Sequence, residues 1–73
     1  MNQVEEILAS AHQDADGKWI FRLENGAVWR QIDDYALYKD PRPGAKITIE
    51  RALLGSYKLS VDGQPGLRVH RDE

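Results

Sequence analysis

The chain contains no cysteine, which removes disulfide scaffolds, thiol nucleophiles and cysteine-ligated zinc. A small domain without these staples must hold itself together by packing alone. Long hydrophobic runs are missing too. The apolar fraction of 41% is enough to fold, yet it is too interrupted to cross a bilayer, so neither a transmembrane segment nor a signal peptide is expected. Charge of one sign is also lacking: ten Lys and Arg stand against twelve Asp and Glu, for a net charge of -2. Seventy-three residues hold one domain and no more, so residues 1–73 read as a single soluble unit. At about 0.05–0.15 kcal/mol per residue its stability is roughly 4–11 kcal/mol.

What the chain does have is turns flanked by alternating apolar residues, the pattern of successive antiparallel hairpins. Asp16-Gly17 precedes Trp19, Phe21 and Leu23, which alternate with Ile20, Arg22 and Glu24. Asn25-Gly26 leads into Ala27 to Ile32. Ile47 and Ile49 alternate with Lys46, Thr48 and Glu50, and beyond Gly55 come Tyr57, Leu59 and Val61. Asp62-Gly63 and Pro65-Gly66 then turn the chain into Leu67 to Arg71, with Leu67 and Val69 inward. No internal repeat is visible.

The first dozen residues read two ways. Val4, Ile7, Leu8 and Ala11 fall at helical spacing, and Asn2 with Glu5 resembles a capping box. Ile7, Ala9 and Ala11 also alternate as a strand would. The Asn25-Gly26 hairpin has two registers as well. A two-residue turn puts Arg30 beside Phe21 on the apolar face. A three-residue turn with Gly26 at the left-handed bulge position pairs Phe21 with Trp29 and sends Arg22 and Arg30 outward. Burying an unpaired arginine costs several kcal/mol, so the bulged turn is expected. The core then comprises Trp19, Phe21, Leu23, Trp29, Ile47, Ile49, Tyr57, Leu59, Leu67 and Val69.

Four segments carry a resemblance: Leu23-Glu24-Asn25-Gly26-Ala27-Val28-Trp29-Arg30-Gln31, Gly44 before Ile47-Thr48-Ile49, Leu54-Gly55-Ser56-Tyr57-Lys58-Leu59-Ser60, and Arg68-Val69-His70-Arg71. Together they resemble a group of uncharacterised proteobacterial small β domains with an L-x-N/D-G-x-V-W and L-G-S-Y/F pattern. The match runs from Gly17 onward and brings no established activity. It implies architecture: the stretch before the Asp-Gly turn is a strand, which tips Ile7 to Ala11 that way. Ala52 stands where the group often has glycine, which leaves the Ala52-Leu53-Leu54 turn undefined. Such domains look like the tail of longer, sometimes exported proteins, so Met1 reads as an excision point.

Candidate chemistry is sparse. His12, Asp14, Asp16 and Gly17 occupy positions one, three, five and six of a calcium-loop template, but the first is not Asp and the twelfth is Leu23. A polar turn with Gly17 at positive φ is the simpler reading. His12 and His70 do not make a metal site, Ser56 lacks a nucleophile-elbow context, and Gly44-Ala45-Lys46 lacks the rest of a phosphate loop. Asp33-Asp34 has nothing beside it to split its pKa values. No enzyme, cofactor or metal is expected.

Charge is distributed unevenly: residues 1–37 carry three basic against seven acidic side chains, residues 38–73 seven against five. Arg30, Arg51, Lys58, Arg68, His70 and Arg71 could form a basic strip, although most aromatics belong to the core. A pI of 5.6 and the absence of a basic run place nucleic acid second among partners. Residues Asp33 to Gly44 have no clear period and hold two prolines; loops of this kind are commonly functional. Tyr and Arg dominate protein-binding hot spots, so Tyr35, Tyr38 and Arg42 are the expected binding residues. The plainer reading is that Tyr35 and Leu37 cover one barrel end.

The sequence therefore predicts an all-β, five- or six-stranded SH3-like or OB-like barrel of antiparallel hairpins. Its expected role is a non-enzymatic binding or accessory module of a bacterial protein. Its expected partner is a protein or peptide, self-association through a strand edge included, and no membrane. A single-stranded nucleic-acid binder is the alternative.

Overall fold

The computed structural model describes residues 3–52 and 55–72 and contains no α-helix among them. No described helix is long and apolar enough to cross a membrane. The strands are β1 (Gln3–Gln13), β2 (Trp19–Leu23), β3 (Val28–Gln31), β4 (Lys46–Arg51), β5 (Tyr57–Val61) and β6 (Leu67–Arg71). They form a closed barrel in the order β1-β2-β3-β6-β5-β4, antiparallel at every junction. Six strands is the upper of the two expected counts. The Ala52-Leu53-Leu54 turn and the Met1 question involve residues outside those described.

The order is that of two three-stranded meanders, β1-β2-β3 and β4-β5-β6, zipped together along β1/β4 and β3/β6. Exchanging the halves leaves the order unchanged, a topological two-fold that no sequence repeat announces. Because β3 and β4 lie on opposite walls, residues 32–45 must carry the chain from one wall to the other. They do so across one end of the barrel, where Leu37 packs against the core and the Gly44 N–H donates to the Leu8 carbonyl at 2.8 Å.

The N-terminal ambiguity is settled as strand. β1 is long enough to pair with β4 through Gln3 to Ile7 and with β2 through Leu8 to Gln13. Early in the second run, between Leu8 and Ser10, the register shifts at Ala9, a bulge that turns the strand round the barrel. The shift changes which residues face inward. Val4 and Glu6 pair with inward Ile49 and Ile47, Leu8 is fully buried, and beyond the bulge Ala11 pairs with inward Phe21. Ile7 therefore points out, and Ile7, Ala9 and Ala11 do not share a face as simple alternation suggested.

The β2–β3 hairpin adopts the bulged register: Phe21 pairs with Trp29, the Leu23 N–H donates to the Ala27 carbonyl at 2.9 Å, and Gly26 sits at φ 92°. All ten expected core residues join one cluster, with Trp19 and Tyr57 half-buried at its ends. Leu8, Ala27, Ala45 and Val61 complete it. Each strand has a hydrogen-bonded neighbour on both sides among the described residues, and β1 divides its two neighbours along its length, β4 beside Gln3–Ile7 and β2 beside Leu8–Gln13.

Candidate functional site

The loop between β3 and β4 is held in place by three amide and carboxylate side chains. Gln31 lies inward opposite Val69 and is 3% exposed. Its Oε1 accepts from the Trp19 N–H at 3.0 Å, and its Nε2 donates to Asp33 Oδ1 and to the Tyr35 carbonyl, both at 2.8 Å. Asp33 Oδ2 accepts from the Arg68 N–H at 2.8 Å, and the Asp33 carbonyl accepts from Lys18 Nζ at 2.6 Å. From the β5–β6 turn, Gln64 Oε1 accepts from the backbone N–H groups of Tyr38 and Lys39 at 2.8 and 3.1 Å. The backbone is thus fixed on both flanks of Tyr35 and Tyr38.

The two tyrosine side chains are not fixed under the sheet. Tyr35 is 72% and Tyr38 82% exposed. Leu37 alone of the pair proposed as a barrel cover performs that task; Tyr35 does not. Tyr35 and Tyr38 wall one side of an open cleft of about 580 Å³ whose other side is Lys58 and Arg68 and whose floor is Pro65 and Gly66. Gly66 needs no left-handed backbone. A Cβ there would come within 3.3 Å of Ser60 Oγ and 3.4 Å of the Lys58 Cβ, so glycine keeps the floor low. Arg42 is exposed and lines an adjacent groove that shares Tyr38 with the first. Tyr38 is the ridge between them, and Tyr35 and Arg42 do not meet in one cleft.

Lys58 and Arg68 face each other directly across β5 and β6, and neither forms an ion pair among the described residues. Glu50 is opposite Lys58 on its other side. Three further members of the expected basic strip are paired or turned away. Arg30 bonds Asp14 Oδ2 at 3.1 Å and Asp72 Oδ2 at 3.0 Å, His70 Nε2 meets Asp72 Oδ1 at 3.1 Å, and Arg71 shares the inner side of the barrel with Trp29. Sequence reasoning missed Gln31, Gln64, Lys58, Arg68 and Gly66 as parts of this site. Gln31 was findable: once Trp29 faces inward, so does the residue two further on.

The calcium-template segment is a polar turn. Asp14 Oδ1 accepts from the N–H groups of Asp16 and Lys18 at 2.9 and 3.0 Å, and Gly17 sits at φ 81°. The donated Lys18 N–H is the main reason the Asp14 carboxyl is held below its ordinary value, with help from the Asp16 N–H and the nearby Arg30 and Lys18 charges. Asp34 is lowered by its hydrogen bond to the Lys18 ammonium and by that charge. No cluster of three metal-ligating side chains occurs among the described residues.

The opposite end of the barrel is open. There Val4, Ile49, Ala27, Trp29 and Tyr57 surround a mouth of about 260 Å³, with Glu6 on one wall and Arg71 on the other. Trp29 and Tyr57 meet edge-to-face at 5.2 Å between centroids. No family model, curated protein or solved structure matches the chain.

Proposed function

We propose that this domain is a non-enzymatic binding module, an accessory part of a larger bacterial protein. It meets a protein or peptide at the cleft between residues 33–44 and the β5–β6 hairpin. The observation that carries this reading is the combination of two exposed tyrosines with a backbone already tied by Gln31, Asp33 and Gln64. Contact area is offered without a large ordering cost, because the residues that present it are held before binding. Pro41 and Pro43 add to the restraint. Tyr35 and Tyr38 supply area and hydroxyls, while Arg42 serves the neighbouring groove. The scale of the barrel, SH3-like or OB-like, suits recognition through loops and outer faces because its interior is filled by its own side chains.

Single-stranded nucleic acid is the second reading, favoured by one feature: the exposed tyrosines stand beside Lys58 and Arg68, an aromatic platform with cations. Against it, Asp33, Asp34 and Asp40 occupy the same loop. One experiment separates the two. Peptides enriched from a displayed random library on the full chain are titrated against wild type and Tyr35→Ser/Tyr38→Ser, beside short single-stranded oligonucleotides at low and moderate salt. Enriched peptides are expected to bind about tenfold more weakly to the double variant, and the oligonucleotides to show no salt-dependent binding. Peptides indifferent to the double variant, or oligonucleotides that bind through it, would replace the first reading.

A further inference from the structure

Two polar groups of the residues that line the open mouth have no partner among the described residues, and only one of them, a carboxylate, is of a kind that a cation would satisfy. Trp29 is 6% exposed, and its indole Nε1 is buried with no hydrogen-bond acceptor. Glu6 pairs in register with Ile47, whose side chain is fully buried, so its carboxylate stands on the inward side of β1. Glu6 is half-buried, and its carboxylate makes neither a hydrogen bond nor an ion pair among the described residues. Its neighbour Glu5, facing outward, is by contrast paired with Lys46 at 3.2 Å. An inward, half-buried carboxylate beside apolar side chains, with no partner among the described residues, is available to a cation from outside the chain.

We infer that the mouth receives the side chain of a lysine from a partner protein, with its ammonium at the Glu6 carboxylate. The four-carbon stem would lie along Val4, Ile49 and Ala27, and the ammonium would pass the aromatic faces of Trp29 and Tyr57. Each component has a reason. An alkyl stem covers apolar wall while its charge stays at the rim. Aromatic faces attract a cation. The carboxylate supplies the counter-charge. The mouth's 260 Å³ accommodates one extended side chain and lies below the roughly 300–1,000 Å³ of pockets that enclose drug-sized ligands. Arg71, which has an interaction of its own, lines the wall formed by β6, three strands from β1 in either direction round the barrel. The ammonium therefore sits on the Glu6 side. This site lies at the other end from the Tyr35 and Tyr38 cleft and does not depend on it.

The test uses the full chain with blocked tripeptides, acetyl-Gly-Lys-Gly-amide and its norleucine and arginine counterparts, following the Trp29 indole N–H resonance. Glu6→Gln, Glu6→Leu and the exposed turn variant Glu24→Gln are compared, and thermal unfolding is recorded for each. The lysine peptide is expected to shift the Trp29 signal and to bind about tenfold more weakly to Glu6→Gln. It should bind Glu24→Gln as it binds wild type, and both Glu6 variants should melt no lower than wild type. A norleucine peptide that binds as well as lysine would make the mouth a purely apolar site, and a tighter arginine peptide would make it a guanidinium site. Either result overturns the inference. So does an unshifted Trp29 signal, or a Glu6→Gln protein that melts well below wild type, since the carboxylate would then have a structural task.

Discussion

The two ends of the barrel solve the same problem differently. At one end the chain crosses from wall to wall, and its backbone is tied by amide side chains: Gln31 bonds Trp19, Asp33 and Tyr35, and Gln64 bonds Tyr38 and Lys39. At the other end an aromatic pair closes the core, while the indole N–H of Trp29 and the carboxylate of Glu6 go unmatched. The difference teaches where stability and binding are separable. The tied end offers exposed rings on fixed backbone, and the open end offers unsatisfied groups in a fixed wall. A partner gains from preorganisation at the first and, where it brings a cation, from the pairing of the Glu6 carboxylate at the second.

The largest effect should come from removing the ring that closes the open end. Trp29→Ala should cost about 3–5 kcal/mol, comparable to a total of roughly 4–11 kcal/mol for a chain of this size. Trp29→Phe should cost much less, because the donor it deletes has no acceptor to lose. Chemical denaturation measures both. An unchanged midpoint for Trp29→Ala would mean that the open end does not contribute to the core as the fold implies.

Next in size is the polar anchor of the tied end. Gln31→Leu keeps the bulk but leaves the Trp19 N–H and the Tyr35 carbonyl without partners, a cost of about 2–3 kcal/mol. Amide exchange should also quicken at Tyr35, whose own N–H bonds Asp33 at 3.4 Å and depends on Asp33 being held. If the protein loses stability while that exchange stays slow, Gln31 supports the core and not the loop, and the contrast between the ends weakens.

The mirror experiment at the mouth should go the other way. Glu6→Leu replaces an inward, unpaired carboxylate by an apolar side chain beside Ile47, so stability should rise or hold, by no more than about 1 kcal/mol. The same chemical change, polar to leucine at an inward position, is thus expected to have opposite signs at the two ends. A loss at both would show that Glu6 is engaged in the fold after all.

How far these contrasts were legible in the sequence depends on the element. Alternation and turn chemistry yield β2 to β6 and the core, and the cost of burying Arg30 selects the bulged hairpin. β1 was harder for a physical reason. A strand with one bulge presents inward residues at Val4, Leu8 and Ala11, which are four and three apart, the same spacing as a helix face. The exposure of Tyr35 and Tyr38 follows from anchors that are distant in sequence. Gln64 reaches residues 38 and 39 from the far hairpin, and no local pattern encodes that bond. The meeting of Lys58 with Arg68 required the β5–β6 register, and the mouth required barrel closure, which places β1 and β6 on facing walls.

The smallest effect is one of pH, and it belongs to the tied end. Asp14 and Asp34 both titrate below the ordinary carboxylate value of 3.8 in the folded chain. A depressed folded-state pKa means that the unfolded chain binds the proton first as acid is added. The stabilisation is therefore fully present above the unfolded value and is lost as the pH falls through the folded one. Melting temperature should hold at neutral pH and decline from roughly pH 5 downward. The two residues should not contribute alike. Asp14 accepts two backbone N–H groups within its own turn and the Arg30 guanidinium from β3, whereas the Asp34 side chain is 96% exposed, and solvent screens its pairing with Lys18. Asp14→Asn should flatten the acid limb of the profile, and Asp34→Asn should follow wild type, more closely still at raised salt. Melting curves from neutral to strongly acid pH for the three proteins decide the matter. If Asp34→Asn flattens the limb more than Asp14→Asn does, the exposed ion pair rather than the Asp14 turn is what ties β1–β2 to the loop.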